Sequence, residues 1–481
     1  TRHRRFLTWW IIHGNTTTAT MTMTSKPSRE IAVIIAACNA EAYIAEALES
    51  VLRQTLKPVE IVVVDDASED KTVDIVADKF GHRGVELILL DERSWMAKAR
   101  NIGAAATTAP LLLFWDADDI MPDNFLAQMA GDLKAELGMV YCGRTFFGEG
   151  RPRSPMIAPA ADRVRLWKQN FCPSPMLMRR AEFEAAGRWI EPPVRACPDW
   201  HLALRLSGRC GWGPSMAMGK IRRHSGNHTL TWAKRGAESM DAVRMDAASI
   251  TVACIYGGRL PGLRQGWLDA VRASVLRAGK RVELIIVDGS TEGWGEVDLA
   301  RELSWCHTVT VKRARYGADL TAVDRRKCAR ELSTMLAATT NDLRRMASGD
   351  ILWLIEDDLI VPENACSDML RVMLGQGGAR AAVTGMYRSR HSPGKYLAAN
   401  VGPRGPKHLT ELPAEPGPID LAGTGCLMLL RDLMPSVEAL FRGKVAAHDW
   451  ALSDALASRG NKVWMVPSVV VPHYQTEEAF V

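Results

Sequence analysis

Short apolar segments alternate along the chain with segments of helical periodicity, beginning near residue 31. Ile31 to Ala37 is an unbroken apolar run, as expected of a strand covered on both faces of a sheet. In the next segment Ile44 and Leu48 fall on one helical face. Further runs at Glu60 to Val64 and Leu111 to Trp115 predict strands that each end on an aspartate. This alternation predicts βαβ units around a mostly parallel sheet, and hence an α/β fold.

The same order of elements returns in the second half of the chain. Apolar runs predict strands at Ile250 to Tyr256, Glu283 to Val287 and Ile351 to Ile355, and the periodic segment Leu263 to Leu276 predicts a helix. The repeat is as long as a domain, so it indicates two tandem domains of one architecture and not a solenoid.

Two insertions distinguish the second copy from the first. One surrounds the helical stretch Val323 to Met346, and the other is the Pro- and Gly-rich segment Ser392 to Pro418, a candidate acceptor loop. The join falls in a polar, charged stretch without a strong strand signal. We therefore predict a disordered leader at 1–28, a first domain at 29–235, a linker at 236–248 and a second domain at 249–481.

Composition narrows the class of protein. The 481 residues are 47% hydrophobic and 24% charged, which is typical of globular domains. A net charge of +5 is small for this length, which disfavours nucleic acid as a partner but suits nucleotide phosphates. The ten cysteines form no C-x-x-C pair, and we predict that they are buried free thiols of a cytoplasmic protein. The apolar runs fall short of the about 18 residues that span a bilayer.

An acidic cluster follows the predicted strand at Leu111 to Trp115. Asp116 and Asp118 are separated by one residue at the point where the strand leaves the sheet, and such carboxylates suit a hard divalent cation. An acidic surface turn is the alternative. The cluster returns in the second half as Glu356-Asp357-Asp358, also directly after an apolar strand. A proline follows each cluster, Pro122 in the first half and Pro362 in the second, and each is expected in the first turn of the next helix. When the two clusters are aligned by these prolines, Asp119 stands opposite Leu359 and is therefore predicted not to be a metal ligand.

Three other polar features of the first half are expected at the same edge of the sheet. Asp66, at a strand end, can accept a hydrogen bond from a base or a ribose, or else cap the next helix. Asp199 opens an amphipathic helix and is either a cap or a general base. His224 can complete a metal site and Arg222 can pair with phosphate, although a lone histidine is more often structural. Asp449 and His473 stand at the equivalent places of the second half.

The order of these motifs resembles family-2 glycosyltransferases of the GT-A fold. The resemblance covers residues 30 to 230 and extends more loosely over residues 249 to 475. The motifs that carry it are the apolar strand, Asp-Asp-x-Ser, Ala99-Arg-Asn-x-Gly103, Asp116-x-Asp118, Asp199-Trp-x-Leu-x-Leu-Arg-Leu206 and Arg222-x-His-Ser-Gly-Asn227.

The resemblance implies a role for each motif. It implies that Mn²⁺ or Mg²⁺ is held together with the diphosphate of a nucleotide sugar, and that one carboxylate acts as a base. The implied nucleotide-sugar ligands are Asp66, Arg100, Asp116 and Arg222 in the first half, and Asp288 and Glu356 in the second. The implied metal ligands are Asp116, Asp118, His224, Asp358 and His473. The implied catalytic bases are Asp199 and Asp449.

The sequence departs from the family pattern in several places. Cys38 and Asn39 follow the first strand, where the family often has an aromatic residue that stacks on the base. His201 replaces a residue that is commonly acidic. In the second half a single Asp288 replaces the aspartate pair, and Glu356 takes the first acidic position. The activity of the second half therefore stays open.

We predict a metal-dependent inverting glycosyltransferase, with a second active site in the C-terminal half as an open question. The donor is a nucleotide sugar, with UDP-sugars favoured, and the acceptor is the hydroxyl of a glycan or another biopolymer. Two alternatives stay open: a non-catalytic acceptor-binding module in the second half, and a nucleotidyltransferase, which lacks its expected phosphate loop here. We predict a cytoplasmic location, with peripheral contact at the inner face of the membrane left open.

Overall fold

The computed structural model of the chain describes two large sheets and the helices that cover them. It describes residues 29–150, 153–172, 175–191, 197–224, 237–257, 260–290, 303, 305–313, 329–375, 379–389, 394–403, 405–434, 441–442, 445–446 and 448–474. The predicted leader at 1–28 lies outside this part of the chain.

The first unit is a seven-stranded sheet with helices on both faces. Its strands are β1 (Ile31–Ala37), β2 (Glu60–Asp65), β3 (Val85–Leu89), β4 (Leu111–Asp116), β5 (Leu137–Gly148), β6 (Met176–Arg179) and β7 (Gly211–Arg223). Its helices are α1 (Ile44–Leu52), α2 (Thr72–Phe80), α3 (Met96–Ala105), α4 (Phe125–Asp132), α5 (Arg163–Lys168), α6 (Arg180–Ala185) and α7 (Pro198–Ser207). The strand order is β3-β2-β1-β4-β6-β5-β7, and only β6 runs antiparallel to its neighbours.

The second unit repeats this plan. Its strands are β8 (Ile250–Tyr256), β9 (Val282–Asp288), β10 (Cys306–Arg313), β11 (Ile351–Ile355), β12 (Ala382–Met386), β13 (Ala398–Gly402), β14 (Gly405–His408), β15 (Gly417–Ile419), β16 (Leu421–Ala422), β17 (Cys426–Leu430), β18 (Phe441–Arg442), β19 (Val445–Ala446) and β20 (Val463–Val470). Helix α8 (Ala237–Ala247) lies in the chain between the two units, and the helices of the second unit are α9 (Arg264–Arg277), α10 (Ala329–Met346), α11 (Ala365–Leu374) and α12 (His448–Ala457). The order β10-β9-β8-β11-β17-β12-β20 matches the first sheet strand by strand, with β15 added at the edge.

Strand directions match as well. In each sheet the first four strands of this order are parallel to one another. The fifth strand, β6 or β17, is antiparallel to both of its neighbours, and the sixth and seventh strands are parallel to each other. The prediction of an α/β fold with two mostly parallel central sheets is therefore confirmed. Division of the chain at 235 and 249 stays our proposal.

The alternation of side chains along β1 places its residues in two separate layers of the core. Ile31 and Ile35 pack with α1, α2 and α4, whereas Ile34 faces the opposite layer. Gly103 in α3 lies against that second face, where an added Cβ would come 2.5 Å from Ile34 Cγ2. The glycine of the Ala-Arg-Asn-x-Gly motif therefore allows α3 to pack closely on β1.

Several sequence-based boundaries were wrong. Pro122 and Pro362 precede α4 and α11 by three residues instead of lying in their first turns, and their carbonyls accept hydrogen bonds from the first residue of each helix. The predicted loop Ser392 to Pro418 contains the hairpin of β13 and β14, because Gly and Pro signals do not reveal pairing with distant strands. Within Val323 to Met346, the described helix begins at Ala329.

The two units share a continuous apolar core. Trp200 of α7, Val243 of α8 and Met373 of α11 belong to the same buried cluster. The predicted linker at 236–248 is therefore largely helical, and α8 packs on both α7 and α11. None of the described helices is both long and apolar enough to cross a bilayer.

The cysteines of the described residues carry free thiols. Six of them are buried, as predicted, whereas Cys38, Cys197 and Cys210 are partly exposed. Cys38 lies at the carboxyl end of β1, where burial raises the pKa of its thiol and nearby Arg93 lowers it. These thiols pack as small apolar side chains and join no disulfide among the described residues.

Candidate functional site

The predicted acidic cluster lies where β4 leaves the sheet. One carboxylate oxygen from each of Asp116, Asp118 and Asp119 lies within 4.8 Å of the others. Burial and the neighbouring Asp116 carboxylate raise the pKa of Asp118, and burial raises the pKa of Asp119 well above its ordinary value. Crowded carboxylates of this kind repel one another unless a cation or protons offset their charge. The donor set therefore fits a hard divalent cation such as Mg²⁺ or Mn²⁺.

His224 lies beside this cluster, as the sequence predicted. Its Nε2 is 2.9 Å from Oδ2 of Asp118, and its ring lies 4.7 Å from the ring of Tyr43. The imidazole reaches the cluster because it directly follows β7, whose residue Lys220 forms a bridge with Ile120 next to the acidic turn. The structure therefore brings His224 next to Asp118, while its role as a metal ligand stays a prediction.

Arg100 contacts the same cluster from α3. Its Nη2 donates to Oδ1 of Asp116 at 2.5 Å, and its guanidinium lies 4.5 Å from the centre of the Trp189 ring. The Arg100 side chain is 2% exposed, and its Nε and Nη1 donate no hydrogen bond to the described residues. A buried guanidinium beside an acidic cluster, with N–H groups that have no partner among the described residues, can donate hydrogen bonds to an anionic ligand.

Hydrogen bonds of Asp119 and Arg222 join the acidic turn to the end of β7. Oδ1 of Asp119 accepts a hydrogen bond from the backbone nitrogen of Arg222 at 2.7 Å, and Nε of Arg222 donates to the carbonyl of Asp118 at 2.8 Å. Arg222 also pairs with Glu46 and covers the ring of Phe147 at 4.4 Å. Asp119 is 4% exposed and one of its oxygens belongs to the acidic cluster, so its place outside the ligand set stays a prediction.

Asp66 is buried at the carboxyl end of β2. Its Oδ1 accepts from the backbone nitrogen of Ser94 at 2.5 Å, and its Oδ2 accepts from that of Trp95 at 2.8 Å. Trp95 has a φ of 72°, an unusual value for a tryptophan, and the residue is 38% exposed. Asp66 therefore holds the loop that leads into α3 and does not cap α2, whose N-cap residue is Lys71.

Asp199 is partly exposed in the first turn of α7, and two residues around it carry no sequence motif. Nδ2 of Asn170 donates to Oδ2 of Asp199 at 3.1 Å. Arg144 of β5 is partly buried, and burial lowers the pKa of its guanidinium, whereas Asp199, Asp119 and Asp116 raise it. Arg144 therefore lies within electrostatic reach of both the predicted base and the acidic cluster. Sequence periodicity could not identify Asn170 or Arg144, because only folding of the chain brings these residues close to Asp199.

The second unit gathers a matching cluster from Glu356, Asp358 and His473, with ligand atoms within 4.8 Å of one another. Nδ1 of His473 donates to the carbonyl of Arg388 at 2.7 Å, which directs Nε2 toward Asp358, 3.6 Å away. Oδ1 of Asp288 accepts from both the nitrogen and the hydroxyl of Ser290. Asp449 lies in α12, but its side chain is outside the described part of the structure.

Comparison with known proteins identifies the sequence family of the chain. Residues 32–185 match the sequence family described as "Glycosyl transferase family 2". A "PGL/p-HBAD biosynthesis glycosyltransferase" of Mycobacterium bovis (strain BCG / Pasteur 1173P2) is 31% identical over 179 residues, which cover 36% of this chain and 68% of that protein. The chain belongs to glycosyltransferase family 2. The segment that matches the family contains Asp66, Arg100, Asp116 and Asp118 and ends before Asp199 and His224.

Other similarities are partial. The "Uncharacterized glycosyltransferase EpsJ" of Bacillus subtilis (strain 168) is 26% identical over 138 residues, 28% of this chain, and the chain spans only 39% of that relative. Among solved structures, S. aureus TarS 1-349 in complex with UDP-GlcNAc shows 21% identity and a TM-score of 0.38, covering 45% of this chain and 66% of TarS. A mannosyltransferase from Pyrobaculum calidifontis in complex with GDP-Man and Mn²⁺ shows 22% identity and a TM-score of 0.35, covering 45% of this chain and 63% of that chain.

Proposed function

We propose that the first unit transfers a sugar from a nucleoside-diphosphate sugar to an acceptor hydroxyl with inversion, with a divalent metal ion as cofactor. The observation that carries this proposal is the acidic cluster with Asp116 and Asp118, which has His224 beside Asp118 and the buried Arg100 beside Asp116. When bound at these residues, Mn²⁺ or Mg²⁺ would stabilise the negative charge of the donor diphosphate.

Three further residues are proposed to act in the transfer reaction. Asp199 accepts the proton of the acceptor hydroxyl while that oxygen forms a bond to the anomeric carbon. The bond between the anomeric carbon and the diphosphate oxygen breaks, and its electron pair leaves with the diphosphate. Asn170 donates to Oδ2 of Asp199 and so orients the carboxylate. Arg100 adds positive charge where the leaving group becomes anionic.

The donor, the acceptor and the location are the finer parts of the proposal. We favour a UDP-sugar donor and a glycan or another hydroxyl-bearing biopolymer as acceptor, in a cytoplasmic protein that can meet the inner membrane face peripherally. Asp66 is proposed to recognise the base through the loop that it holds at Ser94 and Trp95. The absence of an aromatic residue at Cys38 and Asn39 makes a panel of UDP-, GDP- and dTDP-sugars the appropriate donor screen.

The second unit is proposed to bind a second donor and metal ion through Asp288, Glu356, Asp358 and His473, with Asp449 as its base. What supports this is the repeated topology and the second acidic cluster with its oriented imidazole. The alternative is a non-catalytic module for acceptor binding, which the departures at Asp288 and Glu356 favour. Variants that disable each cluster separately distinguish the two.

Substitution of the proposed base tests the mechanism of the first unit. Asp199→Asn keeps the size of the side chain and its partner Asn170 but cannot accept the proton. We expect sugar transfer by the first unit to fall by roughly 10²- to 10⁴-fold, while the dissociation constant for the donor in the presence of Mn²⁺ stays within about twofold. Transfer to the acceptor and calorimetric donor binding measure the two quantities, and undiminished transfer would exclude Asp199 as the base.

A further inference from the structure

The helix that carries the proposed base is held by the helix between the two units. Asp199 is the second residue of α7, and both residues that follow it contact α8. Trp200 is fully buried, its Nε1 donates to the carbonyl of Leu166 at 2.8 Å, and the guanidinium of Arg244 lies 5.5 Å from the centre of its ring. Nε2 of His201 lies 2.6 Å from Oδ2 of Asp246.

The His201–Asp246 contact is a charge-assisted hydrogen bond between a buried imidazole and a half-exposed carboxylate. His201 is 1% exposed. Burial lowers the pKa of His201, and the hydrogen bond from His201 lowers the pKa of Asp246, so a neutral imidazole donates its Nε2 proton to an ionised carboxylate. Such a bond is stronger than one between two neutral groups and favours one relative orientation of the two side chains. The histidine at a position that is commonly acidic in related sequences thus has a specific partner in this chain.

Residues of the second unit in turn hold α8. Nε of Arg244 donates to the carbonyl of Leu374 at the end of α11 at 2.7 Å, and its Nη2 pairs with Asp241. Nζ of Lys280 donates to the carbonyls of Asp246 and Ala248 at 2.9 and 3.0 Å. An unbroken series of contacts therefore runs from the second unit through α8 to the two residues that follow Asp199.

We propose that the second unit positions the catalytic base of the first unit, with His201 and Arg244 as the positioning residues. This inference rests on the proposed function, because it requires Asp199 to be the base. Neither positioning residue is among those proposed to bind the donor or the metal ion. Their contacts set the angle and depth of the first turn of α7, and a displacement of about 1 Å at a reacting group can cost about 10²-fold in rate.

The donor-binding residues do not depend on the same contacts. Asp66 and Asp116 lie at the ends of β2 and β4, and Arg100 lies in α3. Loss of the α8 contacts should therefore lower kcat while the donor KM changes little. A role confined to packing would instead lower the thermal unfolding temperature without a selective effect on kcat.

Paired substitutions in the full chain separate positioning from packing. His201→Leu and Arg244→Met remove the polar contacts but fill most of the space, whereas His201→Gln and Arg244→Lys keep a donor near the original nitrogen. Arg277→Met and Asp269→Asn are controls on exposed positions of α9 in the same unit. For each variant, release of nucleoside diphosphate during transfer gives kcat and donor KM, and a thermal melt gives the unfolding temperature.

We expect His201→Leu and Arg244→Met to lower kcat by roughly ten- to a hundredfold, with donor KM within about twofold of wild type. His201→Gln and Arg244→Lys should recover most of the lost kcat, and the controls should match wild type. Hydrogen exchange of the amides in α7 should increase in the Leu and Met variants and not in the controls.

Two results would overturn the inference. Wild-type kcat in folded His201→Leu and Arg244→Met would show that the contacts do not position the base. A matched fall in unfolding temperature and kcat, without recovery by Gln or Lys, would show a packing role only. The Asp199→Asn variant separates failure of the proposed function from failure of this inference. Full transfer by Asp199→Asn refutes the proposed function. An inactive Asp199→Asn together with a fully active Arg244→Met refutes this inference alone.

Discussion

At the scale of single residues, the site combines carboxylates that the sequence could identify with partners that it could not. Asp116 and Asp118 were predictable because they follow an apolar strand at a fixed spacing. Asn170 and Arg144 were not, because each belongs to a segment without a motif and meets Asp199 or the acidic cluster only after folding. The family pattern marked His201 as unusual, but its partner Asp246 lies 45 positions away in a stretch that was taken for a linker.

The buried His201 makes stability depend on pH. Its pKa is lowered in the folded chain, so the unfolded chain binds more protons once the pH falls below the ordinary value of about 6.5. Stability is therefore complete above that pH and declines as the pH falls from about 6.5 toward the lower folded pKa, by at most about 1.4 kcal/mol per pH unit for one proton. Asp246, whose pKa is also lowered, adds a further loss only below about 3.9.

A comparison with His201→Gln isolates this effect, because glutamine keeps the hydrogen bond to Asp246 but does not titrate. Denaturant unfolding at pH 7.5 and pH 5.5 should show a larger loss of stability for wild type than for the variant, with the other titrating groups common to both. Equal losses in the two proteins would contradict the neutral, buried state of His201.

At the scale of elements, the alternation of apolar residues predicted the central strands and the aspartates at their ends, and these are correct in both sheets. The helix α8 was missed because most of its residues are polar or charged, so the buried Val243 and Ala247 give only a weak apolar periodicity. The hairpin of β13 and β14 was missed because a strand at a sheet edge depends on distant pairing, which local Gly and Pro content conceals.

Packing of α3 on β1 gives a prediction at this scale. A Cβ at Gly103 would lie 2.5 Å from Cγ2 of Ile34 and 3.1 Å from Cγ2 of Val64, both in fully buried strands. We expect Gly103→Ala to destabilise the protein by about 1–3 kcal/mol through overpacking, despite the better helix propensity of alanine. Gly131→Ala in α4, where an added Cβ meets nothing within 4 Å, is the matched control and should be neutral or stabilising.

Unfolding midpoints in denaturant measure both variants. A Gly103→Ala protein as stable as the Gly131→Ala control would show that α3 can move away from β1 at little cost, and that the glycine of this motif is not required for close packing.

At the scale of the whole molecule, two sheets of one topology are joined through a shared apolar core and a buried ionic contact. Arg163 of α5 pairs with Asp350 of the second unit and with Asp432 at 2.5 Å. Asp350 in addition accepts from the nitrogen and the hydroxyl of Ser249 at the start of β8, both at 2.8 Å. The sequence predicted the repeat but not this interface, because pairing between α5 and the second sheet has no local signature.

Removal of Arg163 should weaken the joint between the units. The Arg163 side chain is 10% exposed and that of Asp350 is 5% exposed, so Arg163→Met leaves buried carboxylate charge without its partner and should cost about 3–5 kcal/mol. Calorimetry should show a single transition for wild type, and a lower midpoint or two separated transitions for the variant. Arg53→Met, whose pair with Asp123 is exposed, is the control, and an equal effect of the two substitutions would contradict the role of Arg163.

The central claim is metal-dependent transfer from a nucleotide sugar at the Asp116–Asp118 cluster. Its most direct test is release of nucleoside diphosphate from UDP-, GDP- and dTDP-sugars with Mn²⁺, measured for wild type, Asp118→Ala and Asp358→Ala. We predict that wild type turns over at least one donor, that a chelator stops the reaction, and that Asp118→Ala loses roughly hundredfold or more in rate. Loss confined to Asp118→Ala would make the second unit a non-catalytic module, whereas turnover by Asp118→Ala equal to wild type would contradict the account.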